Sequence, residues 1–237
     1  SYSIVPSGWN YKEIAELGLK QALNSTTSDY PSYIVSTGYG RNNVTFANKS
    51  ITEITCHGIG AKYFFPEVHT VIDIGGQDSK VIILNDGGRA TNFVMNDKCA
   101  AGTGRFLEVM TRALNSTFDE LSQLSLMSRH DVEISSICTV FAESEVISLL
   151  SQGYDRADIS AAIFRAISRR ITGMTGQLGI RERVVMSGGV AKTSGLVRIL
   201  GQTLKTKLLV SAEPQIGGAL GAALLAVEEN KSQLSIQ

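Results

Sequence analysis

The chain has 237 residues, which is enough for one large domain or for two modest domains that share a cleft. Its 22 Lys and Arg balance 22 Asp and Glu, so the net charge is zero and neither nucleic acid nor an anionic membrane is an expected partner. The 43% hydrophobic content excludes a disordered chain, no apolar run reaches the ~20 residues of a spanning helix, and three cysteines cannot form a disulfide framework, which predicts a cytoplasmic location.

Helical and strand-like patterns alternate along the chain and predict an α/β protein. We expect a helix, a short strand and a second helix first, then three consecutive strands, three helices and a strand–helix–strand–helix series. The predicted helices cover residues 11–23, 50–64, 103–115, 139–151, 156–178, 193–205 and 216–229. The predicted strands cover residues 33–36, 68–74, 79–85, 89–96, 183–186 and 207–210.

This order divides the chain into two predicted subdomains, residues 1–67 and residues 68–237. The second subdomain begins with three consecutive strands, whereas the first has only a helix, a strand and a helix and lacks an opening hairpin. A helix with no sheet to lie on would leave an apolar face uncovered. Either a strand from elsewhere completes the unit or the chain lacks its native N-terminus, and we favour the second explanation.

A glycine turn joins the first two strands of the second subdomain. Its polar and glycine residues are Asp73, Gly75, Gly76, Gln77 and Asp78. Glycines allow the backbone to approach a phosphate closely, so that N–H groups can point at its oxygens. Either acid could hold Mg²⁺ through water, and Gln77 could orient an attacking water. The alternative is an ordinary hairpin, but two acids and a glutamine favour a phosphate loop.

Two further glycine clusters lie later in the chain. Gly188, Gly189 and Val190 follow an apolar strand, at the end where α/β folds bind ligands, although a plain strand-to-helix turn explains them equally well. The cluster at residues 217–222 opens the last helix, and its small residues most simply indicate close helix packing. Gln215 precedes this cluster and could face a ligand.

The three cysteines divide into two kinds. Cys99 and Cys138 each lie just ahead of a predicted helix, where the positive end of the helix dipole favours a thiolate. Cys56 lies in the middle of a predicted helix, which is typical of a buried and inert thiol. An iron–sulfur cluster needs four thiolates, which two chains related by a two-fold axis could supply together. The chain has no CxxC, so a closed zinc site within one chain does not fit.

Five segments resemble a known family, the activator ATPases of 2-hydroxyacyl-CoA dehydratases. This family belongs to the wider BadF/BadG/BcrA/BcrD ATPase family, which includes the ATPase subunits of benzoyl-CoA reductase. The resemblance extends over nearly the whole chain, and the cysteine segments separate it from sugar kinases. The segments are DIGGQDSK (73–80), NDKCAAGTGRFLE (96–108), CTVFAESEVIS (138–148), VVMSGGVAKTSG (184–195) and PQIGGALGAALLA (214–226).

The resemblance implies an actin/Hsp70/sugar-kinase fold, which is ribonuclease H-like, with ATP or ADP and Mg²⁺ in the cleft between subdomains. It implies a homodimer that holds one [4Fe-4S] cluster, with Cys99 and Cys138 of each chain as metal ligands. It also implies ATP hydrolysis coupled to transfer of one low-potential electron to a separate dehydratase component. The turn at residues 73–78 would contact phosphate, residues 188–190 and Gln215 would bind the nucleotide, and a ferredoxin or flavodoxin would donate the electron.

The chain departs from the family at its beginning. Family members open with a phosphate loop of the form GIDxGS in an N-terminal hairpin, and this motif does not occur here. Its absence predicts weak ATP binding by the chain as given. Four alternatives remain open: an ATPase subunit of a benzoyl-CoA reductase-type enzyme, a small-molecule kinase of the same fold, a nucleotide-binding redox sensor, and an inert fragment that lacks its first hairpin.

Overall fold

The computed structural model describes residues 1–24, 30–136 and 138–234; parts of both predicted subdomains, residues 25–29, 137 and 235–237, lie outside this description. Helices and strands alternate as an α/β protein should. The helices are α1 (Tyr11–Asn24), α2 (Glu53–Phe64), α3 (Gly104–Ala113), α4 (Phe118–Leu126), α5 (Thr139–Ser151), α6 (Arg156–Leu178), α7 (Ser194–Leu204) and α8 (Gly217–Leu234). The strands are β1 (Val35–Ser36), β2 (Lys49–Ser50), β3 (Thr70–Ile74), β4 (Ser79–Leu84), β5 (Ala90–Asn96), β6 (Val184–Ser187) and β7 (Leu208–Leu209).

A five-stranded mixed sheet organises most of the chain. Its strand order is β5-β4-β3-β6-β7, and the short strands β1 and β2 form a separate parallel pair. The first three strands of the large sheet are antiparallel neighbours, whereas β3, β6 and β7 run parallel. The carboxyl ends of β3 and β6 therefore lie side by side, which is the position where sheets of this kind bind ligands.

Both faces of the large sheet are covered. On one face, Ile72 and Ile74 pack into a large apolar cluster with side chains of α3 and α6 such as Leu107 and Phe164. On the other face, Val71, which precedes Ile72 in β3, packs into a smaller cluster that includes part of α2. Every residue of β3 and β4 is buried, as expected for central strands between helical layers.

The small residues at the start of α8 pack directly against α2. A Cβ at Gly221 would overlap the carbonyl oxygen of Cys56, and a Cβ at Gly60 would overlap that of Gly217. The two helices therefore touch main chain to main chain. This confirms the interpretation of residues 217–222 as a site of close helix packing.

Most predicted elements are confirmed, with two differences. The helix expected from residue 50 begins at Glu53, because the Thr52 side chain accepts a hydrogen bond from the Thr55 N–H and residues 49–50 pair as a strand. The helix α4 was not predicted, although Thr117 and Glu120 form a capping box at its start. None of the helices in the described ranges combines the length and apolar character that a membrane crossing requires.

Candidate nucleotide and thiol sites

The glycine turns after β3 and β6 meet at one edge of the large sheet. Asp73 and Ser187 are paired at the carboxyl ends of these strands, and the Ser187 hydroxyl donates to Asp73 Oδ1 at 2.8 Å. Gly188 follows with a φ of +87°, and a Cβ there would overlap the carbonyl oxygen of Ile74. Only glycine fits this position. The second turn is therefore packed directly on the first.

The loop that leads into α8 lies beside the same edge. The Gly188 N–H donates to the carbonyl oxygen of Pro214 at 3.0 Å. A Cβ on Gly189 would lie 3.2 Å from the side-chain nitrogen of Gln215, and Val190 is buried close by. Thus the structure brings together residues that the sequence analysis proposed for nucleotide binding and that lie on two separate segments.

The turn between β3 and β4 is closed by a hydrogen bond from the Gly75 N–H to the carbonyl oxygen of Asp78, at 2.9 Å. Gly76 and Gln77 are exposed at its tip, whereas Gly75 and Asp78 are partly buried. The predicted water-orienting residue Gln77 is therefore accessible to a ligand on the outer side of the turn.

A buried lysine that the sequence analysis did not single out lies at the centre of this edge. The Lys80 Nζ is 3.2 Å from Asp73 Oδ2, 2.8 Å from Asp78 Oδ1 and 3.7 Å from a Glu53 carboxylate oxygen. Burial alone would lower the pKa of Lys80, but Asp73 and Asp78 raise it overall. Both acids predicted to hold Mg²⁺ are thus ion-paired with one ammonium group.

His57 on α2 was also missed as part of this edge. Its Nδ1 lies 3.5 Å from Asp73 Oδ1. Burial alone would raise the pKa of the Asp73 carboxyl, but His57, Lys80 and the Ser187 hydroxyl lower it overall. Asp73 is therefore held as a buried carboxylate by three neighbours.

Cys99 lies in the loop between β5 and α3. It lies just ahead of α3, as predicted, but α3 begins at Gly104 with Thr103 as its N-cap residue, so Cys99 itself is not the helix terminus. The Asn96 side chain shapes the loop by donating to the carbonyl oxygens of Cys99 at 2.9 Å and Ala101 at 3.0 Å. Arg170 of α6 donates in turn to Asn96 Oδ1 at 3.2 Å. Cys99 is half-buried at this anchored loop.

Cys138 is the N-cap residue of α5, so the helix-start prediction is confirmed for this cysteine. Its side chain is exposed. The segment before it is tied to α5 by the Glu145 carboxylate, which accepts from the N–H groups of Ser135 at 2.9 Å and Ser136 at 3.0 Å. Burial works to raise the pKa of Glu145, but these hydrogen bonds lower it overall.

We expect Glu145→Gln to destabilise the protein by about 1 kcal/mol at neutral pH, because the amide offers one acceptor oxygen where the carboxylate offers two. A folded-state pKa below the ordinary value of 4.5 means that the contribution is full above that value and is lost as the carboxyl is protonated at lower pH. Thermal unfolding of both proteins from neutral to acidic pH should show the gap closing in acid. Glu143→Gln on the same helix is the control, and a gap that persists below the folded-state pKa would contradict the assignment.

The helix α5, which begins after Cys138, exposes several apolar side chains to solvent. Val140 is 65% exposed, Phe141 is 68% exposed and Ile147 is 50% exposed. Val140 and Ile147 lie two helical turns apart and so share one face of the helix. An exposed apolar surface of this kind beside an exposed thiol is typical of a contact region.

The third cysteine has a different environment. Cys56 is fully buried in α2, and burial raises the pKa of its thiol. This confirms that it is a buried residue. No group of three or more His, Cys, Asp or Glu side chains within residues 1–24, 30–136 and 138–234 could hold a metal ion. Cys99 and Cys138 are thus the two cysteines that are not buried.

The strand order of the large sheet and the glycine turns at its carboxyl edge define an actin-like α/β ATPase fold. The chain belongs to the BadF/BadG/BcrA/BcrD ATPase family, whose model matches residues 12–226.

Several members of this family are closely similar to the chain. An activator of lactoyl-CoA dehydratase from Anaerotignum propionicum is 52% identical over 197 residues, covering 83% of this chain and 76% of the relative. A (R)-2-hydroxyglutaryl-CoA dehydratase activating ATPase from Acidaminococcus fermentans is 50% identical over 199 residues, covering 84% of this chain and 76% of the relative. The solved structure of the activator of 2-hydroxyisocaproyl-CoA dehydratase from Clostridium difficile, with bound ADPNP, superimposes with a TM-score of 0.88 at 44% identity and covers 96% of this chain and 84% of that one.

Proposed function

We propose that the chain is an ATP-dependent activator that transfers one low-potential electron from a dimer-bridging [4Fe-4S] cluster to a 2-hydroxyacyl-CoA dehydratase. The observation that carries the proposal is the pair of accessible thiols, Cys99 and Cys138, in a chain that belongs to an ATPase family. Relatives at about half identity that are named as activators of such dehydratases support it.

The nucleotide is assigned to the sheet edge where the glycine turns meet. In this proposal the turn at residues 73–78 contacts phosphate, and residues 188–190 with Gln215 contact the rest of ATP or ADP. Asp78 is more accessible than Asp73 to a hydrated Mg²⁺, since its side chain is 20% exposed against 4%. These residues all belong to the proposed subdomain 68–237, whereas Glu53 and His57 of residues 1–67 reach the same edge, so we propose that the nucleotide lies between the two subdomains.

The metal ligands are assigned to Cys99 and Cys138 of two copies of the chain. When bound, a [4Fe-4S] cluster supplies a one-electron carrier whose potential depends on its surroundings. The anchored Cys99 loop and the Glu145-tied Cys138 segment hold the two thiols in place, and the exposed face of α5 would bury part of its apolar surface against the second copy. A cytoplasmic ferredoxin or flavodoxin is the proposed electron donor.

Anaerobic purification followed by iron and sulfide analysis tests the proposal most directly. We expect four iron and four sulfide per dimer after reconstitution, since a [4Fe-4S] cluster contains that number of each. We also expect ATP-dependent activation when the reduced protein is mixed with a purified 2-hydroxyacyl-CoA dehydratase component. A protein that binds iron and hydrolyses ATP but never activates a dehydratase would favour a redox sensor, and a protein that phosphorylates a small molecule would favour a kinase.

Asp78→Asn should lower ATP turnover by at least about tenfold while iron and sulfide content stay unchanged, because the phosphate turn and the thiols lie on different segments. Initial rates of phosphate release, measured beside the iron content of the same preparation, check both halves of this expectation. Asp86→Asn in the β4–β5 hairpin is a matched control, since its carboxylate is 96% exposed. Unchanged hydrolysis in the Asp78 variant would make Asp78 a structural turn residue.

A further inference from the structure

The start of α3 is hydrogen-bonded to the glycine turn between β3 and β4. The Gly104 N–H donates to the carbonyl oxygen of Gly75, and the Arg105 N–H donates to that of Gly76, both at 2.8 Å. The first N–H groups of a helix have no partner within it. Here two of them are satisfied by the carbonyl oxygens of the turn itself, so the turn and the helix start form one connected unit.

The contact at Gly104 is tight, and a side chain there would require its neighbours to shift by a few tenths of an ångström. A Cβ there would lie 3.1 Å from Gly76 Cα, 3.2 Å from the Gly75 carbonyl oxygen and 3.4 Å from a methyl group of Val190. Residues from both glycine turns therefore surround the first residue of α3. A movement of either turn would therefore also move the start of α3 at Gly104.

The other end of the connection is the Cys99 loop. The Thr103 N–H and hydroxyl both donate to the carbonyl oxygen of Ala100, at 3.0 and 2.7 Å, which closes the loop between Cys99 and the helix. On its inner side α3 buries Phe106 and Leu107 in the core. Because these hydrogen bonds restrain the loop, a displacement of the start of α3 would also displace Cys99.

We propose that Gly104 is a positioning residue that transmits a nucleotide-dependent movement of the 75–78 turn to Cys99. This inference rests on the proposed function, in which the turn contacts the nucleotide and Cys99 is a metal ligand. The route consists of the two backbone hydrogen bonds to α3 and the closed loop that follows Cys99. In this assignment Gly104 contacts neither the nucleotide nor the iron–sulfur cluster. It acts only through the turn and the Cys99 loop on either side of it.

Hydrogen exchange measured by mass spectrometry on the anaerobically purified full-length chain tests the route without an activity assay. We expect ADPNP to slow exchange in peptides that cover residues 99–107 by at least about fivefold, because these amides are bonded to the turn or close the loop. In the Gly104→Ala protein the same peptides should exchange at equal rates with and without ADPNP. The affinity of this variant for ADPNP should remain within about threefold of that of the unmodified protein. Gly173→Ala on α6, where a Cβ meets nothing within 4 Å, should behave as the original protein does.

The possible outcomes separate the inference from the proposed function. Tight ADPNP binding with no change in exchange at residues 99–107 of the unmodified chain would overturn the coupling route and leave the activator assignment standing. A Gly104→Ala protein that binds ADPNP and keeps the full nucleotide-dependent change would also overturn it. Because weak binding is expected from the sequence, ADPNP is used at millimolar concentration. If the unmodified chain does not bind ADPNP even then, the nucleotide assignment of the proposed function fails together with the inference. If Gly104→Ala does not fold, the comparison within the unmodified chain decides the matter alone.

Discussion

Lys80→Met should lower the free energy of unfolding by about 3–5 kcal/mol, because it leaves buried carboxylates without their cation. The Lys80 ammonium, 3% exposed, is shared among Asp73, Asp78 and Glu53. Methionine fills a similar volume, so packing changes little and most of the loss is electrostatic. The loss should be largest at neutral pH and should shrink in acid. Asp73 has a folded-state pKa below its ordinary value of 3.8, so its ionic contribution is present above that value and disappears as the carboxyl is protonated.

Urea denaturation at several pH values measures this effect. Lys98→Met is the matched control, because Lys98 is also paired with a carboxylate, on Asp97, but its side chain is 87% exposed. An exposed pair of this kind contributes little to stability, so the control should unfold like the original protein. Equal effects of the two substitutions would show that the lysine at the sheet edge is not needed to balance the buried acids.

Cys138→Ser and Cys99→Ser should each remove most of the iron and sulfide from the anaerobically purified protein, whereas Cys56→Ser should leave them in place. Cys138 is exposed and Cys99 is half-buried, but Cys56 is enclosed in α2. Serine cannot replace a thiolate as a soft ligand for iron. Loss of iron in the Cys56 variant to the same extent would show that the ligand assignment is wrong.

Cys99→Ser and Cys138→Ser should also change the oligomeric state, whereas Cys56→Ser should not. If each chain supplies two of four ligands, loss of one ligand type weakens the link between the two copies. Sedimentation velocity before and after controlled exposure to air should show dimers becoming monomers as iron is lost. Dimers that persist without iron would show that contacts such as the exposed face of α5 are sufficient, and monomers with a full complement of iron would overturn the shared-ligand assignment.

The sequence predicted the large sheet well because its strands carry a strong local signal. The apolar runs at residues 70–74 and 79–84 are buried along their whole length, and glycine turns mark where the strands end. The helix α4 was missed because nine residues give little periodicity, although the capping box of Thr117 and Glu120 was present in the sequence. Short elements of this kind depend on tertiary packing more than on pattern.

The glycine turns on which the sequence analysis placed the site residues are present in the structure, but the sequence did not show which side chains hold those residues in position. Lys80 was overlooked because a lysine in a strand is ordinarily solvent-exposed. Its charge is balanced by Asp73 and Asp78 of its own hairpin together with Glu53 of α2, and the sequence does not show that α2 reaches this edge of the sheet. Likewise, Glu145 lies on the helix that follows Cys138, and only the folded chain shows that it bonds back to the segment preceding this cysteine.

The crossing of α2 and α8 has a consequence for how the molecule tolerates change. No side chain separates the helices at Gly60 and Gly221, so no rotamer has to be ordered when they meet and the contact costs little conformational entropy. Because the contact is between main-chain atoms, no side chain can change its rotamer to make room for an added group. A methyl group added at either glycine has to shift a whole helix axis rather than one flexible side chain. A one-carbon substitution at this crossing is thus converted into a rigid-body displacement that spreads along both helices.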